Sequence, residues 1–167
     1  MKQQIIVSGT GGQGILFLTR FFAEAAMMMR LEVITSEIHG MAMRGGTVLS
    51  HVKVGPFKSP LVRTGHADIG LILNKQNLEL HRSFIKPDGS VFVNADSRGD
   101  YFSIDASGLA LSAGSPALTN LVLLGFAMQR GDFFCGADIA RKVLKKLSPA
   151  AQLDLNLKGF DMGFSSP

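Results

Sequence analysis

Gln3-Gln4-Ile5-Ile6-Val7-Ser8-Gly9-Thr10-Gly11-Gly12-Gln13-Gly14 runs a short apolar strand into a glycine-rich turn, and a long apolar helix follows. The spacing Gly9-x-Gly11-x-x-Gly14 fits the dinucleotide fingerprint: a glycine for the tight turn, one for close approach, and one that lets helix and strand pack. Physically it is an anion site, in which free N–H groups and the positive end of a helix dipole aim at one point. The fingerprint also wants an acidic residue about twenty positions on, at the end of a second strand. Glu37 is the nearest candidate, but it opens a run that an ordinary nucleotide fold does not require: Glu37-Ile38-His39-Gly40-Met41-Ala42-Met43-Arg44-Gly45-Gly46.

Outward from the turn, residues 12–29 have helical length, with Gln13, Arg20 and Glu24 on one narrow polar stripe and apolar residues around the rest. One side packs on a sheet; the surplus suits either a central helix or a face covered by another subunit. Residues 31–36 read as a second strand and complete a βαβ unit with the first. Residues 47–54 alternate with period two after a Gly-Gly turn, which predicts an antiparallel return strand. Residues 68–73 predict a buried parallel strand, 76–85 a helix ended by Pro87-Asp88-Gly89, 90–94 a strand, and 101–104 another short one. Ser115, Pro116, Arg130 and Gly131 mark the start and stop of one helix, 137–147 form another, and Ser148-Pro149 open a last one toward Lys158. Strands alternating with helices give a single α/β domain over 1–167, a three-layer α/β/α sandwich around a Rossmann-like mixed sheet, mostly parallel with one antiparallel return strand.

Composition narrows the function. The chain of 167 residues is 46% hydrophobic and only 18% charged, less polar surface than a solitary protein needs, which hints at a partner or a homodimer. The net charge of +4 is spread without aromatic interleaving, which argues against nucleic acid. With one cysteine, Cys135, the chain has far fewer thiolates than an iron–sulfur cluster takes, and its apolar setting predicts an inert thiol. No unbroken apolar run is long enough to span a membrane and nothing resembles a signal peptide, so a cytoplasmic protein is expected.

A self-contained catalytic centre is not evident. The sequence has no phosphate-loop motif, no His-Glu-x-x-His, no paired cysteines and no Gly-x-Ser-x-Gly. The histidines at 39, 51, 66 and 81 lack metal-like spacing, so no metal site is expected. What remains is two loops expected at the carboxyl ends of adjacent parallel strands, where open α/β sheets bind ligands. The candidate residues are Gly9, Thr10, Gly11, Gly12, Gln13 and Gly14 in one, and Glu37, His39, Gly40, Met41, Arg44, Gly45 and Gly46 in the other. Thr10 and Gln13 can add a hydroxyl and an amide, Arg44 a permanently charged fork for phosphate or carboxylate, and the methionines adaptable apolar contact. The alternative is an irregular loop whose glycines serve the turn and whose methionines enter the core.

The Gly9–Gly14 turn, the run from Glu37 to Gly46 and Ser50-His51-Val52 after it closely resemble the gamma-type subunit of 2-oxoacid:ferredoxin oxidoreductases, the pyruvate/ketoisovalerate oxidoreductase family. Matches at 120–125 and 155–164 extend the resemblance over nearly the whole chain, and His-Gly-Met-Ala-x-Arg-Gly-Gly is most similar to the indolepyruvate branch, its beta subunit. The resemblance implies an accessory subunit, inactive alone, in a complex that oxidatively decarboxylates a 2-oxoacid to an acyl-CoA. Thiamine diphosphate and iron–sulfur clusters would sit in partner subunits, coenzyme A would be a co-substrate, and ferredoxin would take the electrons. Competing expectations are a small free-standing NAD-type reductase and a non-catalytic association module.

Overall fold

The computed structural model describes residues 1–40 and 45–167; Met41 and Arg44, two of the candidate site residues, lie outside the described residues. Among the described residues, six strands form one sheet in the order β2-β3-β1-β4-β5-β6. They are β1 (Gln3–Thr10), β2 (Val33–His39), β3 (Thr47–Val54), β4 (Ala67–Ile72), β5 (Ile85–Asn94) and β6 (Phe102–Ile104). β1, β4, β5 and β6 run parallel, and β3 is antiparallel to both β1 and β2. The α-helices of the described residues flank the sheet: α1 (Ile15–Met28), α2 (Leu78–His81), α3 (Ala106–Ser112), α4 (Thr119–Arg130), α5 (Ala137–Leu147) and α6 (Leu153–Phe164).

The period-two alternation of the strands divides the core. Ile5 and Val7 of β1 join a large cluster with residues of α1, α3, α4, α5 and α6, while Ile6 joins a smaller one with Leu49, Val62, Ile72, Leu78 and Val91. The sandwich is therefore lopsided: five helices cover one face, and the other is covered by the single turn of α2 and the connection between β3 and β4. The apolar surplus of α1 is largely absorbed within the chain. The sheet takes one side and α5 another, joined by the Lys146–Glu24 ion pair, while Phe133 in the connection between α4 and α5 stacks on Phe22 at 5.8 Å. Leu16 and Met27 stay exposed.

Several element bounds differ from expectation. The helix expected over 76–85 is one α-turn between 3-10 segments, Lys75–Asn77 and Arg82–Phe84, because Asn74 caps the chain into a 3-10 start by accepting from Gln76 N–H at 3.0 Å. Pro87-Asp88-Gly89 lies inside β5: Ala67 pairs with Ile85 and Ile69 with Ser90, so these residues bulge from the ladder, where proline costs no strand hydrogen bond. The second strand also runs on to His39, which puts Glu37 and Ile38 in a strand. The helix after Pro116 opens with a 3-10 turn, Pro116–Leu118, and α6 runs past Lys158 to Phe164. α3, which residue pattern alone does not delimit, starts where the Asp105 carboxylate accepts from Gly108 N–H at 2.9 Å.

Candidate functional site

The expectation that the two glycine-bearing loops leave adjacent parallel strands is wrong in one respect: β3 lies between β1 and β2, with Thr10 opposite Thr47 and His39 opposite Val48. The antiparallel insertion displaces Glu37 by two strand spacings, about 10 Å, from the turn, and breaks the geometry by which a Rossmann acid reaches a ribose. Both loops nevertheless meet at the same sheet edge. The Gly11 N–H donates to Gly46 O at 2.9 Å, and Gly40 N–H donates to Thr47 O at 2.7 Å.

The turn is held by side chains from four directions. Gln13 accepts from Thr10 N–H at 2.7 Å and donates to Leu73 O at 3.3 Å, so its amide ties the turn to β4's end and is not presented to a ligand as the sequence suggested. Buried Asn77 donates to Gly9 O at 2.8 Å, and buried Asn120 donates to Gly14 O at 3.2 Å. Asn94 donates to Leu73 O at 3.1 Å and to Ser107 Oγ at 2.8 Å. One residue upstream, Ser8 Oγ and His81 Nδ1 lie 2.6 Å apart. The N–H groups of Thr10, Gly11 and Gln13 are all engaged inside the protein, which leaves the turn a smaller anion cradle than its spacing implies. Asn77 lies 68 residues from the carbonyl it holds, and no local signal in the sequence marks it.

Beside the turn lies a groove of about 380 Å³, lined by Thr10, Gly11, Gly12, Gly14 and His39 with the apolar side chains of Ile15, Leu16, Phe17 and Val48. The structure thus brings His39 to the glycine turn and leaves Glu37 exposed on the strand below it. Among the described residues, no group of three His, Cys, Asp or Glu side chains is placed to hold a metal ion. Cys135 is buried behind the sheet, and burial pushes its thiol pKa up to about 12. No helix among the described residues is long and apolar enough to cross a membrane.

Proteins of known structure share this fold. The gamma subunit of a keto/oxoacid ferredoxin oxidoreductase from Geobacter sulfurreducens superposes with a TM-score of 0.81 at 26% identity, covering 97% of this chain and 96% of that one. A 2-oxoglutarate:ferredoxin oxidoreductase from Magnetococcus marinus, solved with 2-oxoglutarate, coenzyme A and succinyl-CoA bound, matches 97% of this chain with 30% of its own at 26% identity and a TM-score of 0.77. In sequence, the chain is 30% identical to indolepyruvate oxidoreductase subunit IorB of Archaeoglobus fulgidus, over 99% of this chain and 95% of that one. The fold is that of oxidoreductase gamma subunits. Residues 4–166 match the pyruvate ferredoxin/flavodoxin oxidoreductase family, and the chain belongs to it.

Proposed function

We propose that this chain, acting as one domain over 1–167, is the gamma-type accessory subunit of a 2-oxoacid:ferredoxin oxidoreductase, with an arylpyruvate such as indolepyruvate as the substrate of the complex. In this reading the partner subunits hold thiamine diphosphate and the iron–sulfur clusters, coenzyme A is the co-substrate, ferredoxin receives the electrons, and the complex works in the cytoplasm. The observation that carries it is the Gly11–Gly46 hydrogen bond, which ties the glycine turn to Gly46 at the carboxyl edge of the sheet. A rim braced from below by Asn77, Gln13 and Asn120 is a preformed surface, so little conformational entropy is lost when a partner docks.

The rim takes the acyl acceptor's negative charge, or a partner's acidic segment, with the helix α1 dipole and the Arg44 guanidinium acting together. Gly9, Thr10, Gly11, Gly12, Gly14, His39, Gly40, Met41, Gly45 and Gly46 supply the contact surface around it. Mixing the chain with its thiamine-bearing partner should give dye reduction that requires a 2-oxoacid, coenzyme A and both proteins. Arg44→Ala should lower that rate at least about tenfold, the loss expected of a charge-assisted contact, while the isolated chain keeps its melting temperature. Turnover of a 2-oxoacid by the chain alone, or an Arg44→Ala complex with full activity, would defeat the proposal.

A further inference from the structure

The two edges of the sheet are guarded unequally. β6 closes one side with three residues, whereas β2 ends the other with seven, Val33-Ile34-Thr35-Ser36-Glu37-Ile38-His39. Exposed edges are normally protected by brevity, proline, charged side chains (lysine above all) or a bulge; β2 has one charge, Glu37, and none of the others. Its ladder with β3 fixes which backbone groups face outward. Gly40 N–H donates to Thr47 O at 2.7 Å and Gly55 N–H donates to Glu32 O at 2.8 Å, so the even-numbered residues of this strand bond to β3. The N–H and C=O groups of Val33, Thr35, Glu37 and His39 therefore point away from the sheet, toward solvent.

We propose that this edge pairs antiparallel with the same edge of a second copy of this chain, about a twofold axis through Ser36. The sequence is complementary to itself in that register. Ile34 of one copy stands opposite Ile38 of the other, which covers a side chain otherwise 48% exposed, and Thr35 stands opposite Glu37. The neighbouring registers that keep bonding groups face to face are worse: one opposes Glu37 to Glu37, and the other opposes Ile38 to Glu32. Two seven-residue strands make a small interface, so the dimer is a weak one. The inference stands on the strand edge alone and is independent of the role given to the glycine rim.

Sedimentation velocity on the full chain from about 1 to 100 μM should show a monomer–dimer equilibrium with a Kd on the order of 10 μM. Ile38→Lys, at an exposed position, should weaken it at least about tenfold. Ser36→Cys should crosslink the dimer under mild oxidation, because the Cα atoms of a pair across a non-hydrogen-bonded site lie about 4.5 Å apart, within disulfide range; Glu37→Cys, one residue off the axis, should not. The buried Cys135 stays out of the reaction. A chain that remains monomeric throughout, a dimer indifferent to Ile38→Lys, or crosslinking through Glu37→Cys in place of Ser36→Cys would each overturn the proposal.

Discussion

Gly14 is the most constrained residue of the turn. It begins α1 at φ 80°, and a Cβ there would lie 2.3 Å from Asn120 Nδ2, the group that donates to its own carbonyl. Gly12 has a positive φ of 93° as well, but a Cβ there meets nothing within 4 Å. The two therefore separate backbone strain from steric conflict. In urea titrations Gly12→Ala should cost about 1–2 kcal/mol, and Gly14→Ala roughly 3 kcal/mol or more, because the clash and the lost Asn120 hydrogen bond add to the strain. Asn77→Ala should cost about 1–3 kcal/mol by leaving Gly9 O buried without its donor. The opposite behaviour is expected of Cys135: with its thiol pKa raised by burial, it should react with an aromatic disulfide reagent only as the protein unfolds.

At the scale of elements, α4 and α6 meet almost backbone to backbone. A Cβ on Gly125 would lie 2.0 Å from Phe160 O, and one on Gly163 would lie 1.9 Å from Val122 O. Either glycine to alanine should force the helices apart and cost about 3 kcal/mol or more in thermal or urea unfolding, at the upper end for overpacking. The thin face of the sheet holds two buried histidines. His51 and His81 have pKa values lowered chiefly by burial, His51 further by the neighbouring His81 and Lys53 charges. Val62 N–H donates to His51 Nδ1 at 3.1 Å, which leaves the proton of the neutral ring on Nε2, a buried atom without a hydrogen-bond partner. Because the unfolded histidines bind protons at higher pH than the folded ones, their contribution to stability should be level above pH 7. It should fall as pH drops below about 6.5 toward the depressed folded values, by at most about 1.4 kcal/mol per unit for each histidine. Denaturation midpoints between pH 5.5 and 7.5 check the sign.

For the whole molecule, the insertion of β3 between β1 and β2 decides more than any single contact. It keeps the two glycine-bearing loops on one edge and removes the acid from ribose reach, so isothermal titration with NAD(H) and NADP(H) should show no saturable micromolar binding. Strong binding of either would revive the free-standing reductase that the turn's spacing alone allows.

Much of this is legible in the sequence. Local rules act over a few residues: alternation in 47–54 marked β3, Ser115-Pro116 and Gly131 bracketed α4, and the macrodipole pattern located α5. The glycine spacing likewise announced a strand–turn–helix, and the motif around Gly45-Gly46 announced the family. Pairing order lay beyond that reach, because which strand sits beside β1 depends on contacts between residues far apart in the chain, as the 68-residue separation of Asn77 from Gly9 O illustrates. For the same reason Gln13 looked like a ligand donor in the sequence and proved to be a brace: a side chain's chemistry is written locally, but its partner is chosen by the fold.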